Sequence, residues 1–275
     1  MTAAEINSTK PRFWRDDALP FIEARSVQDG RQVRYARHSH EIFSIGVISG
    51  GRCKYVNRTK SEHVGAGTVV LMNPGDVHAC NPIRDEPWSY RMLYIEIPWL
   101  RSIQEDHRVN SDRCFAPFSA IATTRPELYD GLNHLFETLI DPQVEDLQKH
   151  SAAVSLMGIV QRRLNPGGPI HREKQPSLDR AAEFIRHSCT RSLRLEEICA
   201  EANLSASHLI RVFKNVYGLT PHAYQINCRI EFCRSLLRRG QSIADAALAA
   251  GFSDQAHLQR TFKKIVAATP GQYRA

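Results

Sequence analysis

The sequence lacks the features that identify membrane proteins, zinc fingers and disulfide-rich secreted proteins. It contains no run of about 18 apolar residues, and its first twenty residues include no apolar stretch. None of its seven cysteines forms a C-x-x-C pair of the kind that binds zinc or carries out redox chemistry. The cysteines are scattered at Cys53, Cys80, Cys114, Cys189, Cys199, Cys228 and Cys233. We therefore expect a water-soluble, cytoplasmic protein whose thiols are reduced and mostly buried.

Positive charge is unevenly distributed along the chain. The formal charge is +7, and residues 177 to 275 contain 14 Lys and Arg against 8 Asp and Glu, whereas residues 1 to 164 contain 20 of each kind. A basic surface confined to one segment favours phosphate binding, because neutralised phosphates release counterions. The alternative explanation for the excess of basic residues is that it keeps the protein soluble. At 275 residues the chain is long enough for two domains, each with its own core.

The first part of the chain predicts antiparallel strands followed by two helices. Between residues 34 and 100, short β-branched and aromatic runs are separated by Gly, Pro and Asn. The runs are IFSIGVI (42 to 48), TVVLM (68 to 72) and SYRMLYIEI (89 to 97). From residue 126 to 164 the apolar spacing becomes helical, with one break at Asp141-Pro142. This helical pair ends the predicted N-terminal domain.

The remainder of the chain predicts an exposed linker and an all-helical domain. NPGGPIHREKQP (165 to 176) has the Pro, Gly and charge content of a linker, and residues 177 to 275 contain no strand pattern. Thr220 provides a capping hydroxyl directly before Pro221, and Gly240 is a typical residue to end a helix. These residues predict a long helix from Pro221 to about Arg239. Ser242, three residues before Asp245, predicts the start of the next helix.

One motif is written twice in this helical segment. LEEICAEANL (195 to 204) matches IADAALAAGF (243 to 252), and HLIRVFK (208 to 214) matches HLQRTFK (257 to 263). Each copy predicts a short helix, a tight turn and a second helix, which is the outline of a helix-turn-helix unit. We place the two units at about 195 to 216 and 243 to 266.

The second helix of each unit has an apolar inward face, which defines the side chains that DNA would meet. Leu209 and Phe213 face inward in the first copy, and Leu258 and Phe262 do so in the second. The outward residues that suit base contacts are Ser207, Ile210, Arg211, Gln255, Ala256, Gln259 and Arg260. The residues expected at phosphates are Lys214, Arg238, Arg239, Lys263 and Lys264. A single outward Gln or Arg is most simply a solvated side chain. Two copies of the motif, with outward polar residues at matching positions, favour DNA binding.

The stretch IADAALAAGFSDQAHLQRTFKKIVAATPGQYR (243 to 274) resembles the signature of the AraC/XylS family of bacterial transcription regulators, and the resemblance covers residues 177 to 275. It implies two recognition helices in successive major grooves of one DNA face, about 34 Å apart. It also implies promoter DNA and RNA polymerase as partners, and activation rather than repression.

Two residues depart from the family pattern. Ala267 stands where the first repeat has Gly218, and a left-handed turn there would cost an alanine about 1 kcal/mol, so the local turn could differ. Ile210 is apolar at an outward position. The first unit could therefore read bases through methyl contacts or serve mainly as an anchor.

The N-terminal segments HSHEIFSIGVISGG (38 to 51) and VGAGTVVLMNPGDVHACNP (64 to 82) resemble a cupin, a small β-barrel, and are similar to the arabinose-binding-type sensor domain of the same family. This resemblance implies an unknown small-molecule effector. The candidate pocket residues are His38, His40, His78, Tyr90, Tyr94 and Glu96. An ordinary barrel core would explain the residues from 90 to 96 equally well.

The three histidines leave three roles open: metal binding, contact with a ligand without metal, and a structural role. The rival function is a cupin-type metal-binding enzyme or sensor tethered to a DNA-binding module. Catalytic cupins place a glutamate three or four residues beyond the second histidine, where this sequence has Ser44 and Ile45. We therefore expect no catalytic residue, no cofactor and no metal; a metal, if bound, would be held by His38, His40 and His78.

The predicted architecture is a two-domain protein. An all-β cupin-like barrel with a helical pair occupies residues 1 to 164, a linker occupies 165 to 176, and an all-α double helix-turn-helix domain occupies 177 to 275. The helical pair resembles the dimerisation element of the family, so we expect a homodimer formed through the N-terminal domain. The alternative is a lid that packs on the barrel.

Overall fold

The computed structural model describes residues 10 to 84, 86 to 106, 114 to 164 and 175 to 274. The chain divides into two compact units. The first comprises Met1–Val33, His40–Asp76 and Cys80–Ile170, and the second comprises Arg34–Ser39, Val77–Ala79 and His171–Ala275. Most of the predicted linker, residues 165 to 174, lies outside the described residues, and Pro176 at its end is already helical.

An antiparallel β-sheet forms the centre of the first unit. Its strands are β1 (Arg12–Trp14), β2 (Ile22–Val27), β3 (Phe43–Asn57), β4 (Lys60–Gly65), β5 (Val69–Met72), β6 (His78–Pro82), β7 (Trp88–Ile95) and β8 (Ala122–Thr123). The strand order is β1-β2-β7-β3-β5-β8, and β4 and β6 pair with β3 outside this path. The three predicted runs correspond to β3, β5 and β7. β1 and β2 precede the region in which the sequence predicts strands.

One face of this sheet packs against helices. The helices are α1 (Ile97–Asp106), α2 (Pro126–Ile140) and α3 (Asp146–Leu164). Ala24, Ile45 and Leu93 point toward them and are at most 2% exposed. The strand register places Arg25, Gly46 and Met92 beside one another on the opposite face, which we call the inner face. Arg25 and Met92 are also buried, so the sheet has two covered faces.

The predicted helical pair is confirmed as α2 and α3. α2 begins with Pro126 as a first-turn proline, and its last residue, Ile140, directly precedes the predicted break at Asp141. Leu128, Leu132 and Leu139 lie in the core with the sheet. α1 was not predicted from the sequence, although Pro98 in its first turn is a typical residue at a helix start.

The second unit is built mainly from helices. They are α4 (Pro176–His187), α5 (Leu195–Ala202), α6 (Ala206–Tyr217), α7 (Pro221–Arg238), α8 (Ile243–Ala249), α9 (Gln255–Val266) and α10 (Pro270–Arg274). The predicted caps are confirmed: the Thr220 hydroxyl accepts from the Ala223 amide, and the Ser242 hydroxyl accepts from the Asp245 amide at 3.1 Å. The fold class predicted from the sequence, an N-terminal β domain with a helical C-terminal domain, is confirmed.

Two short segments from the N-terminal half of the chain belong to the second unit. Asn227, a buried residue of α7, accepts from the Ser39 amide at 3.1 Å and donates to the Ser39 carbonyl at 2.9 Å. The Ala36 amide donates to the Lys264 carbonyl at 2.7 Å. These backbone contacts explain why Arg34–Ser39 groups with the helices rather than with the strands that flank it in the sequence.

The turn after α9 has the same handedness as the turn after α6. Gly218 follows α6 with a φ of 73°, and Ala267 follows α9 with a φ of 52°, so both are left-handed. The expectation that Ala267 could change the turn is wrong. The cost to an alanine is about 1 to 2 kcal/mol, which the amide hydrogen bond from Ala267 to Lys263 at 3.0 Å and the buried residues of α9 can offset.

Candidate DNA interface and effector site

The first helix-turn-helix unit consists of α5, a tight turn and α6. Asn203 ends α5 in the left-handed conformation with a φ of 52°, which asparagine tolerates better than most residues. Leu209 and Phe213 are fully buried, and this anchoring turns the opposite face of α6 outward. The predicted contact residues of this unit, Ser207, Ile210, Arg211 and Lys214, are all exposed. Ile210 is 39% exposed, so its apolar side chain lies on the outward face as predicted.

The second helix-turn-helix unit consists of α8, a turn at Gly251 and α9. The Asp254 carboxylate caps α9 by accepting from the His257 amide at 2.7 Å, and this hydrogen bond lowers the pKa of Asp254. Leu258 and Phe262 are fully buried. The residues predicted on the outer face, Gln255, Ala256, Gln259, Arg260, Lys263 and Lys264, are all exposed. Arg238 and Arg239 are exposed where α7 ends.

A junction that the sequence analysis missed joins α7 to the turns on either side of it. Arg229, in the middle of α7, donates to the carbonyls of Cys189 and Gly251, both at 2.6 Å, and to that of Arg191 at 2.9 Å. Gln225, one turn earlier, donates to the carbonyls of Cys189 and Arg191. Partial burial lowers the pKa of Arg229. The i, i+4 spacing of Gln225 and Arg229, which puts both side chains on one face of α7, was the available signal.

Gly251 is held at this junction for a steric reason. Its φ is 79°, and a Cβ atom built on it would lie 1.9 Å from the Thr190 carbonyl oxygen. Only glycine allows the turn of the second unit to approach the loop after α4 so closely. Arg229 binds the backbones of both segments, and Gly251 lets the two segments come close. Together they hold the second helix-turn-helix unit against the loop after α4.

The candidate effector residues of the first compact unit, which contains the β-sheet, lie on or near the inner face of that sheet. Tyr90 is 3% exposed and stacks on Trp88 with ring centroids 4.8 Å apart. Tyr94 is half-buried, and its ring lies 5.8 Å from that of His40. Glu96 lies one residue beyond the end of β7 and is also half-buried. The structure thus brings Tyr94 and His40 together, whereas Glu96 is outside the strand that was predicted to present it.

The inner face also contains a buried cation that the sequence analysis did not select. The Arg25 side chain is 2% exposed, and its guanidinium carbon lies 5.1 Å from the Phe13 ring centroid and 5.9 Å from that of Tyr90. Glu23 on the same strand is buried and pairs with Arg15 at 2.6 Å. Both alternate with apolar residues in β2, a pattern that could have identified them.

The histidines divide between the two units. His38 and His78 belong to the second unit, where their backbones form a β-bridge and their ring centroids lie 4.4 Å apart. His40 belongs to the first unit; its Nδ1 lies 2.9 Å from the Ile42 carbonyl, and its Nε2 lies 3.1 Å from the Ser44 hydroxyl. Because a carbonyl only accepts, the hydrogen bond between His40 and Ile42 is donated by Nδ1–H. Within the part of the chain that the structure describes, no group of three His, Cys, Asp or Glu residues is arranged to hold a metal.

Two family models match this chain in the regions just described. An AraC-like ligand binding domain matches residues 21–157, and a helix-turn-helix domain matches residues 198–275. The chain belongs to the AraC family of transcription regulators. The family resemblance read from the sequence is therefore confirmed, and this AraC-family chain has both a ligand-binding and a DNA-binding domain.

Curated relatives resemble the chain over most of its length. The transcriptional regulator YbfI of Bacillus subtilis is 26% identical over 83% of this chain and 83% of its own length. The MmsAB operon regulatory protein of Pseudomonas aeruginosa is 26% identical over 89% of this chain and 78% of its own length. The transcriptional activator RhaR of Cronobacter sakazakii is 20% identical over 99% of this chain and 97% of its own length.

Solved structures of ToxT from Vibrio cholerae share the fold. An apo form aligns with a TM-score of 0.57 at 15% identity, covering 98% of this chain and 97% of ToxT. A form bound to an unsaturated fatty acid aligns with a TM-score of 0.56 at 17% identity, covering 96% of this chain and 93% of ToxT.

Among the described residues of our chain, no helix combines the length and the apolar character that crossing a bilayer requires.

Proposed function

We propose that this AraC-family regulator binds promoter DNA by inserting α6 and α9 into successive major grooves on one face of the duplex. The observation that carries the proposal is the pair of matching exposed faces on α6 and α9, each opposite a buried Leu and Phe at i, i+4. In each copy this arrangement presents a basic or amide side chain outward, as a recognition helix does. The exposed basic residues Lys214, Arg238, Arg239, Lys263 and Lys264 would bind the phosphates.

The two recognition helices have different tasks in this proposal. α9 presents Gln255, Gln259 and Arg260, whose side chains can form paired hydrogen bonds with adenine or guanine. α6 presents Ser207, Ile210 and Arg211, of which only Arg211 can form such paired hydrogen bonds. We therefore assign most of the base reading to α9 and mainly an anchoring role to α6.

Chemical footprinting on a duplex selected from a random library would test the docking geometry. Two protected major-groove regions on one DNA face, about 10 base pairs apart, are expected for each chain. In an Arg211→Ala, Lys214→Ala double variant, the protection nearer α6 should weaken at all sequences. A single protected region in the wild type would contradict the use of both units.

The ligand-binding domain is proposed to bind a small organic effector at the inner face of the sheet. This proposal is supported by the match to the ligand-binding family model and by the buried polar and aromatic residues there, including His40, Tyr90 and Tyr94. The fatty acid bound to ToxT is a precedent for a small-molecule ligand in a protein of this fold. We assign no catalytic chemistry and no metal to the domain, in keeping with its match to a ligand-binding family model.

A homodimer through α3 is the proposed assembly. α3 exposes Leu147 and Val154, which are 76% and 43% exposed and lie two turns apart on one side of the helix. Pairing two copies of this face would bury apolar surface that is otherwise in contact with water. A dimer would also join two DNA-binding domains, which raises affinity through effective concentration.

A Leu147→Glu, Val154→Glu double variant is expected to dimerise at least tenfold more weakly than the wild type, because each copy would bring two charges into the interface. Sedimentation velocity over a concentration series measures this. Leu248→Glu is the matched control, since Leu248 is 65% exposed on α8 in the other unit. An unchanged dimer in the double variant would exclude α3 as the interface.

Activation of transcription through contact with RNA polymerase completes the proposal, and it requires the protein to act in the cytoplasm, where promoter DNA is found. It is supported by the relationship to RhaR, which is named as a transcriptional activator.

A further inference from the structure

Two cysteines meet inside the ligand-binding domain. Cys53 lies on β3 and Cys80 on β6, two strands that pair with each other. Their Sγ atoms are 2.9 Å apart, and both cysteines are unbridged in this structure. They are separated by 26 residues in the sequence, so the fold alone brings them together.

The geometry of the pair suits a disulfide. Paired strands lie about 4.8 Å apart, which is within the Cα separation of about 4.4 to 6.8 Å that a disulfide spans. The two sulfurs need to approach by only about 0.9 Å to reach a bond length of about 2.05 Å. Cys53 alternates with the exposed Lys54 and is followed by the buried Tyr55, so its thiol is directed inward.

The surroundings of the pair determine how quickly it can react. Cys53 is completely buried, whereas part of Cys80 remains accessible to solvent. Burial, followed by the interaction with Cys53, raises the pKa of the Cys80 thiol well above its ordinary value. The reactive thiolate is therefore scarce at neutral pH, so oxidation of the pair should be slow. Which two cysteines are joined should depend on their positions in the fold.

We propose that Cys53 and Cys80 form an intramolecular disulfide when the protein meets a hydroperoxide. The Cys80 thiol loses its proton, and the thiolate attacks the terminal oxygen of the hydroperoxide, which forms an S–O bond, breaks the O–O bond and gives a sulfenic acid. The expelled hydroxide or alkoxide takes up the proton and leaves as water or an alcohol. The Cys53 sulfur then attacks the sulfenic sulfur, loses its proton and displaces hydroxide, which leaves as water. The two thiols lose two electrons and the peroxide gains them. The product covalently links β3 to β6 and so restrains both strands of the ligand-binding domain.

Hydrogen peroxide treatment of the full chain, followed by alkylation and peptide mapping, tests the proposal. We expect a Cys53–Cys80 cross-link whose formation rises up to about tenfold per pH unit below the thiol pKa, following the thiolate fraction. The oxidised protein should have a higher thermal midpoint than the reduced protein, and dithiothreitol should reverse this difference. The cross-link should be absent from Cys53→Ser and from Cys80→Ser but retained in Cys233→Ser, where burial raises the pKa of the replaced thiol to about 12.

Two results would overturn the proposal, and both come from the wild-type chain, so they do not depend on the folding of a variant. One is that Cys53 and Cys80 remain alkylatable after peroxide has oxidised the exposed Cys114. The other is that the cross-link forms no more often in the folded chain than in the chain unfolded by urea. The second result would show random pairing rather than pairing set by the fold.

Discussion

Gly251→Ala is expected to destabilise the second helix-turn-helix unit by about 3 kcal/mol, near the upper end for single substitutions. The left-handed φ of 79° costs an alanine about 1 to 2 kcal/mol. The added Cβ would also lie 1.9 Å from the Thr190 carbonyl oxygen and 2.7 Å from the Thr190 carbonyl carbon, and both of these are backbone atoms. One of the two segments must therefore move away, which disturbs the hydrogen bonds that Arg229 makes to Gly251 and Cys189.

Gly240→Ala separates the two parts of this effect. Gly240 has a φ of 82°, but a Cβ built there would meet no atom within 4 Å. This variant should lose only the left-handed cost of about 1 to 2 kcal/mol. Urea unfolding gives the free energy of unfolding, and titration with operator DNA gives the affinity. Equal losses in the two variants would show that the contact with Thr190 does not matter.

The DNA affinity of Gly251→Ala should fall together with its stability. If the junction positions α9 for DNA, specific affinity should fall at least tenfold even at temperatures where the variant remains folded. Gly240→Ala, whose residue makes no comparable contact, should bind DNA nearly as well as the wild type under the same conditions.

Arg260→Ala and Gln259→Ala are each expected to lower affinity for the preferred operator by about 1 to 3 kcal/mol, or roughly 5-fold to 150-fold. Both side chains are exposed on α9 opposite the buried Leu258 and Phe262. If they form paired hydrogen bonds with base edges, their removal should relax base preference at particular positions. Affinity for random DNA should change little.

Lys264→Ala is the control for these two variants. Lys264 is exposed near the end of α9, where it would bind a phosphate, and its carbonyl contact with Ala36 does not depend on its side chain. Binding to all sequences should weaken equally, and the slope of log affinity against log salt should become shallower by about 1. Fluorescence anisotropy over a salt series, on operator and on random duplexes, measures both quantities. Equal losses on both kinds of DNA for Arg260, Gln259 and Lys264 would contradict base reading by α9.

Local sequence patterns determine the helix positions and the exposed helix faces of the DNA-binding domain. The duplicated motif placed α5, α6, α8 and α9, because the spacing of Leu209 and Phe213, repeated at Leu258 and Phe262, leaves only one face of each helix to be buried. Thr220 and Ser242 placed the starts of α7 and α8, since capping depends on side chains and amides close in the sequence. The exposure of the predicted contact residues follows from the same periodicity.

Tertiary structure decided the features that depend on distant segments. The hydrogen bonds from Arg229 to Gly251 and Cys189 join residues 22 and 40 positions away, and no local pattern encodes such a pairing. Cys53 and Cys80 meet only because β6 pairs with β3. Ala267 keeps a left-handed turn that its residue type disfavours, because the packing of α9 outweighs a local preference of about 1 to 2 kcal/mol. The sequence by itself thus determined the helix-turn-helix units and their exposed faces, whereas long-range packing determined how those units are joined and which buried groups meet.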